Sequence, residues 1–132
     1  MLASSADPRV FGPPTWRALH YMARHYPEAP RDVTRRACLR FLKALPWMLP
    51  CARCGAHLRR FLRRKGSTAL AEAAASRAAL ERLLVAAHDD VRRRTSTTCF
   101  EAFDPSDAPA LYDVGPLRTT AALWTEGRSL RR

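Results

Sequence analysis

The sequence predicts an all-α domain built as a helical bundle. Four segments carry apolar residues at three- and four-residue spacing, which places those residues on one face of a helix. Proline and glycine fall between these segments, and none of them shows the apolar–polar alternation of a strand. The chain has 132 residues, of which 47% are hydrophobic, so we expect one domain with its own core.

The first predicted helix follows the string GPPT and covers residues 15–27. Prolines at positions 27 and 30 end it. Its inward face is predicted to consist of Trp16, Leu19, His20 and Ala23. Residues 1–11 are predicted as a loose lead-in, so the bundle domain is expected to begin at position 12.

The second and third predicted helices are separated by the string PWMLP. The second helix opens at Asp32 or Thr34, and we expect Pro46 to break or kink it. The third helix starts at Cys51 and ends at Gly66, because glycine is a common residue at a helix C-terminus.

The last predicted helix covers residues 77–94, and Ser76 is its expected N-cap. An alanine-rich stretch at 68–75 precedes it and predicts a short additional helix. The bundle domain is therefore expected over 12–98. Residues 99–132 form a C-terminal extension that packs on the bundle or is partly irregular, with a terminal helical turn in the string TAALWTEG.

The charge balance allows two interpretations. Lys and Arg number 23 against 12 Asp and Glu, which gives a formal net charge of +11. Such an excess suits an anionic partner. However, 21 of the basic residues are Arg, and a GC-rich genome produces the same bias. A solvated basic surface and a functional anion site therefore both remain open.

Several protein classes do not fit the sequence. No apolar run approaches the length of a membrane span, and the first residues lack the charged-then-apolar pattern of a signal peptide. We therefore expect a cytoplasmic protein with no membrane partner. The chain has no glycine-rich phosphate loop, which argues against enzymes that hold a nucleotide in such a loop.

Cys51 and Cys54 are the sharpest chemical feature. Cysteines at i and i+3 share one helix face, and Cys51 falls in the first turn, where amide donors and the helix dipole favour a thiolate. Three interpretations are open: a redox dithiol, a structural disulfide, or a zinc site with His57 and one further cysteine or histidine. A zinc domain of this kind would offer nucleic acid the basic run Arg59, Arg60, Arg63, Arg64 and Lys65.

Three histidines recur at comparable positions. His20, His57 and His88 each lie one helical turn from a large apolar residue, on three different predicted helices. Each alone is more often a core or surface histidine than a ligand. Together they predict a bundle centre lined by imidazole and indole, which suits a flat aromatic cofactor with polar ring edges.

Three blocks of sequence carry a family resemblance. GPPTWRALH at 12–20 is similar to the pattern G-x-x-x-W-x-x-L-H, and YP follows it at 26–27. LPCARCGAHL at 49–58 is similar to YPC-x-x-C-x-x-H-F, and HDDVR at 88–92 to H-N-x-V-N. In order and approximate spacing over residues 11–97, the blocks resemble the Erv/ALR flavin-dependent sulfhydryl oxidases.

The resemblance implies four helices plus a short fifth that hold FAD, usually in a homodimer. It implies that Cys51 and Cys54 oxidise thiols of substrate proteins and pass electrons to FAD and then to molecular oxygen, with release of hydrogen peroxide. No metal is part of this scheme, and nucleic acid is not an expected partner. Carried over by position, the residues that contact FAD are Gly12, Trp16, His20, Cys54, His57, His88 and Val91.

The sequence departs from the family pattern after the last block. Asp89 and Arg92 stand where the family usually has Asn, and residues 95–97 replace its LGK. An ionised Asp cannot donate a hydrogen bond. We therefore expect Arg92 or Arg94 to pair with the FAD diphosphate.

Two cysteines have no assigned role. Cys38 precedes the CxxC pair within the string ACL, as in the small sulfhydryl oxidases of large cytoplasmic DNA viruses, which this chain resembles in size. Such a member would act in the host cytoplasm or the virion. Cys99 is expected to be free or paired with Cys38, within the chain or across a dimer. The physiological substrate is not indicated by the sequence.

Overall fold

The computed structural model describes residues 7–95 of the chain. These residues form four helices and no strand: α1 (Pro8–Arg24), α2 (Asp32–Met48), α3 (Ala52–Ala73) and α4 (Arg77–Thr95). Helix α4 packs against α1 and α3, and α3 packs against α2. The predicted all-α bundle is therefore confirmed. Cys99 and the C-terminal extension, with the terminal helical turn expected in it, lie outside the described residues.

Helix α1 begins earlier than the apolar pattern indicates. Asp7 is its N-cap, and the Asp7 carboxylate accepts a hydrogen bond from the backbone N–H of Arg9 at 2.8 Å. Pro8 follows in the first turn, where a missing N–H costs nothing. Residues 8–11 are thus helical, which corrects the loose lead-in predicted over 1–11.

The prolines of the first sequence block lie inside α1. Pro13 and Pro14 remove two backbone hydrogen bonds near the N-terminus of the helix, where the fixed proline φ still suits helical geometry. Thr15 comes next, and its hydroxyl donates to the carbonyl oxygen of Phe11, one turn earlier, at 2.6 Å. The GPPT string therefore continues a helix that has already begun.

Helix α2 continues through Pro46 and ends at Met48, so this proline does not break it. The proline lies in the last turn, where only one hydrogen bond, to the carbonyl of Leu42, is lost. Pro46 is buried, and its carbonyl oxygen faces Gly55 of α3. A Cβ atom at Gly55 would fall far inside contact distance of this oxygen. Glycine is therefore what lets the start of α3 approach the end of α2.

Gly66 divides α3 into two parts, as predicted for a helix stop. Its φ of 86° and ψ of 164° lie in a region that residues with a Cβ rarely adopt. The alanine-rich stretch after it is helical as far as Ala73. The predicted cap of α4 is also confirmed, because the hydroxyl of Ser76 accepts from the N–H of Ala79 at 3.2 Å.

The loop after α1 is hydrogen-bonded to the turn between α3 and α4. The hydroxyl of Tyr26 donates to the carbonyl oxygen of Ala74 at 2.7 Å. In return, Nε of Arg77 donates to the carbonyl oxygen of Tyr26 at 2.6 Å, and its Nη1 donates to Glu28 at 3.2 Å. These bonds fix the end of α1 relative to the start of α4.

The core lies where the four helices meet. Its buried leucines come from every helix, and they include Leu19, Leu42, Leu58, Leu62, Leu80 and Leu84. Together they remove a continuous apolar surface from water, which is the main stabilising contribution in such a bundle. No helix among residues 7–95 has both the length and the apolar character needed to cross a bilayer.

We expect Gly55→Ala to destabilise the bundle. The new methyl group collides with the Pro46 backbone, so α2 and α3 must separate, at a cost of about 1–3 kcal/mol. Urea unfolding followed by circular dichroism measures this change. Thr68→Ala, an exposed helical position, is the control and should change stability by less than about 0.5 kcal/mol. Equal stability of both variants would contradict the close approach.

Candidate functional site

Cys51 and Cys54 form a disulfide at the start of α3, with Cα atoms 5.2 Å apart. Cys51 is the N-cap residue, and its Sγ accepts a hydrogen bond from the backbone N–H of Cys54 at 3.1 Å. Both residues are half-buried. Because their sulfurs are bonded to each other, they are not thiolate ligands for zinc. Within residues 7–95 no three ligand-type side chains form a metal cluster.

The disulfide shares a helix face with the wall of an apolar cleft. Leu58 and Leu62 follow Cys54 at successive i+4 positions, and both are buried. The cleft is narrow, with a volume of about 10 Å³, which is room for roughly one water molecule. Its other lining residues come from α1, α2 and α4: Trp16, Leu19, Leu42, Leu45, Leu83, Leu84 and Ala87. The redox-capable pair and the cleft are therefore linked by one face of α3.

An aromatic cluster lies at one side of this cleft and joins α1 to α4. The rings of Trp16 and His88 are stacked, with centroids 4.4 Å apart and planes inclined by 9°. Nε2 of His20 lies 3.1 Å from Nδ1 of His88, and the His20 side chain is buried. The structure thus brings together two of the three histidines predicted to face inward, with the predicted tryptophan beside them.

The imidazoles of buried His20 and half-buried His88 are both neutral at pH 7. Burial lowers the pKa of His20 to about 4. Burial also lowers the pKa of His88 to about 4, and the charges of His20 and Arg92 act in the same direction. In the contact between the two rings, one nitrogen therefore donates its hydrogen and the other accepts.

The third histidine takes part in a polar bridge between α3 and α4. Nη1 of Arg94 contacts Nδ1 of His57, and Nη2 of Arg94 is 2.8 Å from the carboxylate of Asp90. Arg64 of α3 donates to the same carboxylate at 3.1 Å. Desolvation lowers the pKa of His57, and the positive charges of Arg94, Arg60 and Arg53 lower it further. The C-terminal end of α4 therefore lies beside the first turns of α3.

Three further candidates lie at the margins of the site. Arg92 is 4.0 Å from Asp89 in a long ion pair on α4. Val91, on the same helix, is half-buried. Apart from the chain neighbours of Gly12 and the adjacent backbone of its own helix, no described atom lies within 4 Å of a Cβ built at Gly12, so tertiary packing among residues 7–95 does not explain the glycine.

Cys38 is a buried free cysteine in α2. Burial raises the pKa of its thiol, and a hydrogen bond with Tyr26 acts weakly in the opposite direction. A buried thiol of this kind reacts slowly, because the thiolate is the nucleophile. The structure therefore favours a packing role for Cys38. Cys99 lies outside the described residues.

The comparisons with known proteins identify the family. The sequence profile of the Erv1/Alr family matches residues 13–107. The chain belongs to the Erv1/Alr family. Its matched segment contains the Cys51–Cys54 disulfide, the Trp16–His88 stack and all of α2, α3 and α4.

Relatives of this Erv1/Alr chain occur in invertebrate iridescent viruses. Protein 347L of Invertebrate iridescent virus 6, provisionally named an FAD-linked sulfhydryl oxidase, is 29% identical over 90 residues, covering 67% of this chain and 81% of that protein. Protein 096R of Invertebrate iridescent virus 3, with the same provisional name, is 36% identical over 53 residues, covering 40% of this chain and 36% of that protein.

The fold of the Erv1/Alr chain also matches a solved structure. The crystal structure of the yeast Erv1 core superposes with a TM-score of 0.72 at 22% sequence identity. The match covers 88% of this chain and 92% of the yeast chain. The helical arrangement of residues 7–95 is therefore the fold of that core.

Several contacts at the site were not predicted from the sequence. The contact of Arg94 with His57 joins two helices, and no spacing rule relates these two residues. The ion pair of Arg94 with Asp90, in contrast, has the i, i+4 spacing of a helix. The stacking of Arg59 on Trp47 also joins two helices, so sequence spacing does not predict it. The sequence could have shown that Leu58 and Leu62 share the face of Cys54, because they follow it at i+4 steps along α3.

We expect acid to destabilise the protein through the His20–His88 pair. In the unfolded chain both rings titrate near 6.5, whereas in the fold their pKa is about 4. The unfolded state binds more protons between these values. The free energy of unfolding therefore falls as pH falls from about 6.5 to 4, on the order of 3 kcal/mol after allowing for partial solvent screening of His88.

Urea unfolding at pH 7, 5.5 and 4 measures this slope, and NMR titration of the imidazole protons gives the two pKa values directly. His88→Phe keeps a ring against Trp16 and removes one titrating group, so its stability should depend less on pH. Two imidazole resonances that titrate near 6.5 and belong to His20 and His88 would contradict the expected result.

Proposed function

We propose that this chain is an FAD-linked thiol oxidase whose redox-active pair is Cys51–Cys54. The observation that carries the proposal is the disulfide at the start of α3, on the helix face that continues into the apolar cleft beside Trp16. A disulfide that only stabilised the fold would not need to lie on a helix face that leads into an apolar cleft. The names of the viral relatives support the same activity.

The first step is thiol–disulfide exchange at Cys51. A substrate thiolate attacks Sγ of Cys51, the substrate–Cys51 bond forms, the Cys51–Cys54 bond breaks, and the electron pair leaves on Cys54. A second substrate thiolate then attacks the substrate sulfur of this mixed disulfide and releases Cys51. The substrate leaves as a disulfide, and two electrons have moved to the cysteine pair.

The two cysteines have different roles in this proposal. Cys51 precedes the first helical residue, and the N–H of Cys54 donates to its sulfur, an interaction that favours Cys51 as the leaving thiolate when the mixed disulfide is resolved. Cys54 lies inside the helix, on the face that carries Leu58 and Leu62. We therefore assign attack by the substrate to Cys51 and transfer toward the cofactor to Cys54.

The described residues fit an FAD cofactor. Trp16 and His88 offer stacked aromatic surfaces, and His20 offers a neutral ring with polar edges. The open space at Gly12 leaves room for a ligand against the backbone of α1. When bound, FAD would supply the two-electron acceptor for the reduced pair, with oxygen as the final acceptor and hydrogen peroxide as the product. His57 and Val91 complete the proposed contacts.

Charge compensation for the FAD diphosphate falls to α4 in this proposal. Arg94 already donates to His57 and Asp90 through three nitrogens, whereas the ion pair of Arg92 with Asp89 is long. Either arginine carries a guanidinium that can pair with a phosphate, and Arg94 would exchange some of these bonds to do so.

Replacement of either cysteine tests the redox assignment. Cys51→Ser and Cys54→Ser should each reduce oxidation of dithiothreitol to background, because both sulfurs are needed for exchange. With FAD bound, only Cys51→Ser should show a long-wavelength absorption band at neutral pH, since it retains the inner thiolate. Oxygen consumption and an absorption spectrum provide the measurements.

Cys38→Ala is the matched control for this experiment and should retain full turnover, since its thiol is buried in α2. Activity that survives in both Cys51→Ser and Cys54→Ser would remove the pair from the mechanism. A long-wavelength band in Cys54→Ser alone would reverse the two roles.

A homodimer is also part of the proposed function. Helix α2 carries a second apolar stripe on its exposed side, formed by Val33, Ala37, Phe41 and Ala44. These positions follow helical spacing and face away from the core residues Cys38 and Leu42. An apolar stripe on the solvent side of a helix is typical of a helix–helix interface between subunits. A thiol-bearing protein and oxygen remain the other expected partners, and a cytoplasmic location stays a prediction.

Phe41→Glu should convert such a dimer to a monomer. A charge in the middle of the stripe loses its hydration on association, which costs several kcal/mol. Light scattering gives the mass of the particle in solution. Lys43→Glu, an exposed position on a different face of α2, is the control and should leave the mass unchanged. A wild-type protein that is monomeric at micromolar concentration would exclude this interface.

A further inference from the structure

Trp47 and Arg59 form a surface pair that the proposed thiol chemistry does not use. Trp47 lies in the last turn of α2, and its side chain is 70% exposed. The guanidinium carbon of Arg59, on α3, lies 4.0 Å from the centroid of the indole ring. This cation–π contact holds both side chains in place without burying the tryptophan.

The pair lies beside the disulfide. Gly55 directly follows Cys54, and Nη1 of Arg59 is 3.4 Å from the position that a Cβ of Gly55 would occupy. Trp47 precedes Cys51 by four residues. A segment seated on Trp47 and Arg59 is therefore next to the sulfur that we assign to substrate attack.

The surroundings of the pair are cationic. Arg53 and Arg60 are exposed, and both are close enough to His57 to lower its pKa. Among residues 7–95, neither of them nor Arg59 has a hydrogen bond or ion pair with an acidic side chain. Asp90, in contrast, is already bonded to Arg64 and Arg94.

We propose that the Trp47–Arg59 surface, formed by Trp47, Arg53, Arg59 and Arg60, docks an acidic segment beside the reactive cysteine of a substrate protein. This inference rests on the proposed thiol oxidase function. A guanidinium stacked on an indole keeps its N–H edge available, and that edge matches a carboxylate in bidentate geometry. The indole offers apolar contact to a neighbouring substrate side chain.

A nucleic acid fits this surface less well than an acidic peptide. A phosphate backbone is bound by a row of unpaired cations. The basic run of α3 does not form such a row, because Arg64 is paired with Asp90 and Arg59 is held against Trp47. Three arginines spaced around one exposed indole match a peptide segment in which carboxylates lie next to an apolar side chain.

Two matched dithiol peptides test the proposal. They share one two-cysteine core and differ only in flanking Glu or flanking Lys. With FAD-loaded protein at low salt, kcat/KM should favour the acidic peptide by about tenfold, and 0.5 M NaCl should bring the ratio close to one. Fluorescence anisotropy of labelled peptides with serine in place of cysteine measures binding independently of turnover.

Single substitutions then locate the contact. Arg59→Glu should remove or reverse the acidic preference, and Trp47→Ala should weaken binding of the acidic peptide, whereas Trp47→Phe should retain most of it. Arg82→Glu makes the same charge change on an exposed position of α4, twelve residues before Arg94 and about 18 Å along the helix. This control should keep the wild-type preference.

Turnover of dithiothreitol distinguishes failure of the proposed oxidase function from failure of the docking surface. A wild-type protein that does not oxidise dithiothreitol contradicts the proposed function, and the serine peptides still decide whether the surface docks acidic segments. Equal binding of both peptides, or an acidic preference that persists in Arg59→Glu, overturns the docking proposal. Tighter binding of a single-stranded oligonucleotide than of the acidic peptide, lost in Arg59→Glu, would also overturn it.

Discussion

The close approach of α3 to α2 at Gly55 controls the geometry of the whole site. Only a residue without a side chain fits against the carbonyl oxygen of Pro46, so the two helices meet where α2 ends and α3 begins. This contact sets the rotation of α3 about its axis. Once that rotation is fixed, Cys54 lies above the leucines that line the cleft, and Arg59 reaches the indole of Trp47.

The second constraint is the pair of histidines between α1 and α4. A polar ring inside an apolar bundle is costly unless it finds a partner, and His20 and His88 satisfy each other. Their low pKa is the consequence, because a proton on either ring would place charge in the core. A bundle that needed only stability would place leucine at these positions. Retaining two neutral imidazoles beside Trp16 is explained by a ligand with polar ring edges.

The sequence predicted what depends on periodicity and missed what depends on contacts between helices. Apolar spacing located all four helices of residues 7–95. Gly66 interrupts the helical geometry of α3, as expected for a glycine at a predicted helix end. The start of α1 was misplaced because the string GPPT predicts a helix start, whereas the helix is already capped at Asp7 and continues through both prolines. Pro46 was misjudged because its cost depends on its distance from the helix end. Arg59 and Trp47 lie on different helices, so only the fold brings them together.

The uneven distribution of acidic residues explains how a strongly basic chain concentrates its charge. Between positions 7 and 95, Lys and Arg number 19 against seven Asp and Glu. The carboxylates of Asp89 and Asp90 lie on α4 and are engaged by arginines of α3 and α4. The cations nearest the start of α3 have no such compensation among these residues. A positive field at this position stabilises the negative charge that appears on sulfur when the disulfide opens. The same field attracts an acidic substrate segment, so recognition and the opening of the disulfide draw on one set of arginines.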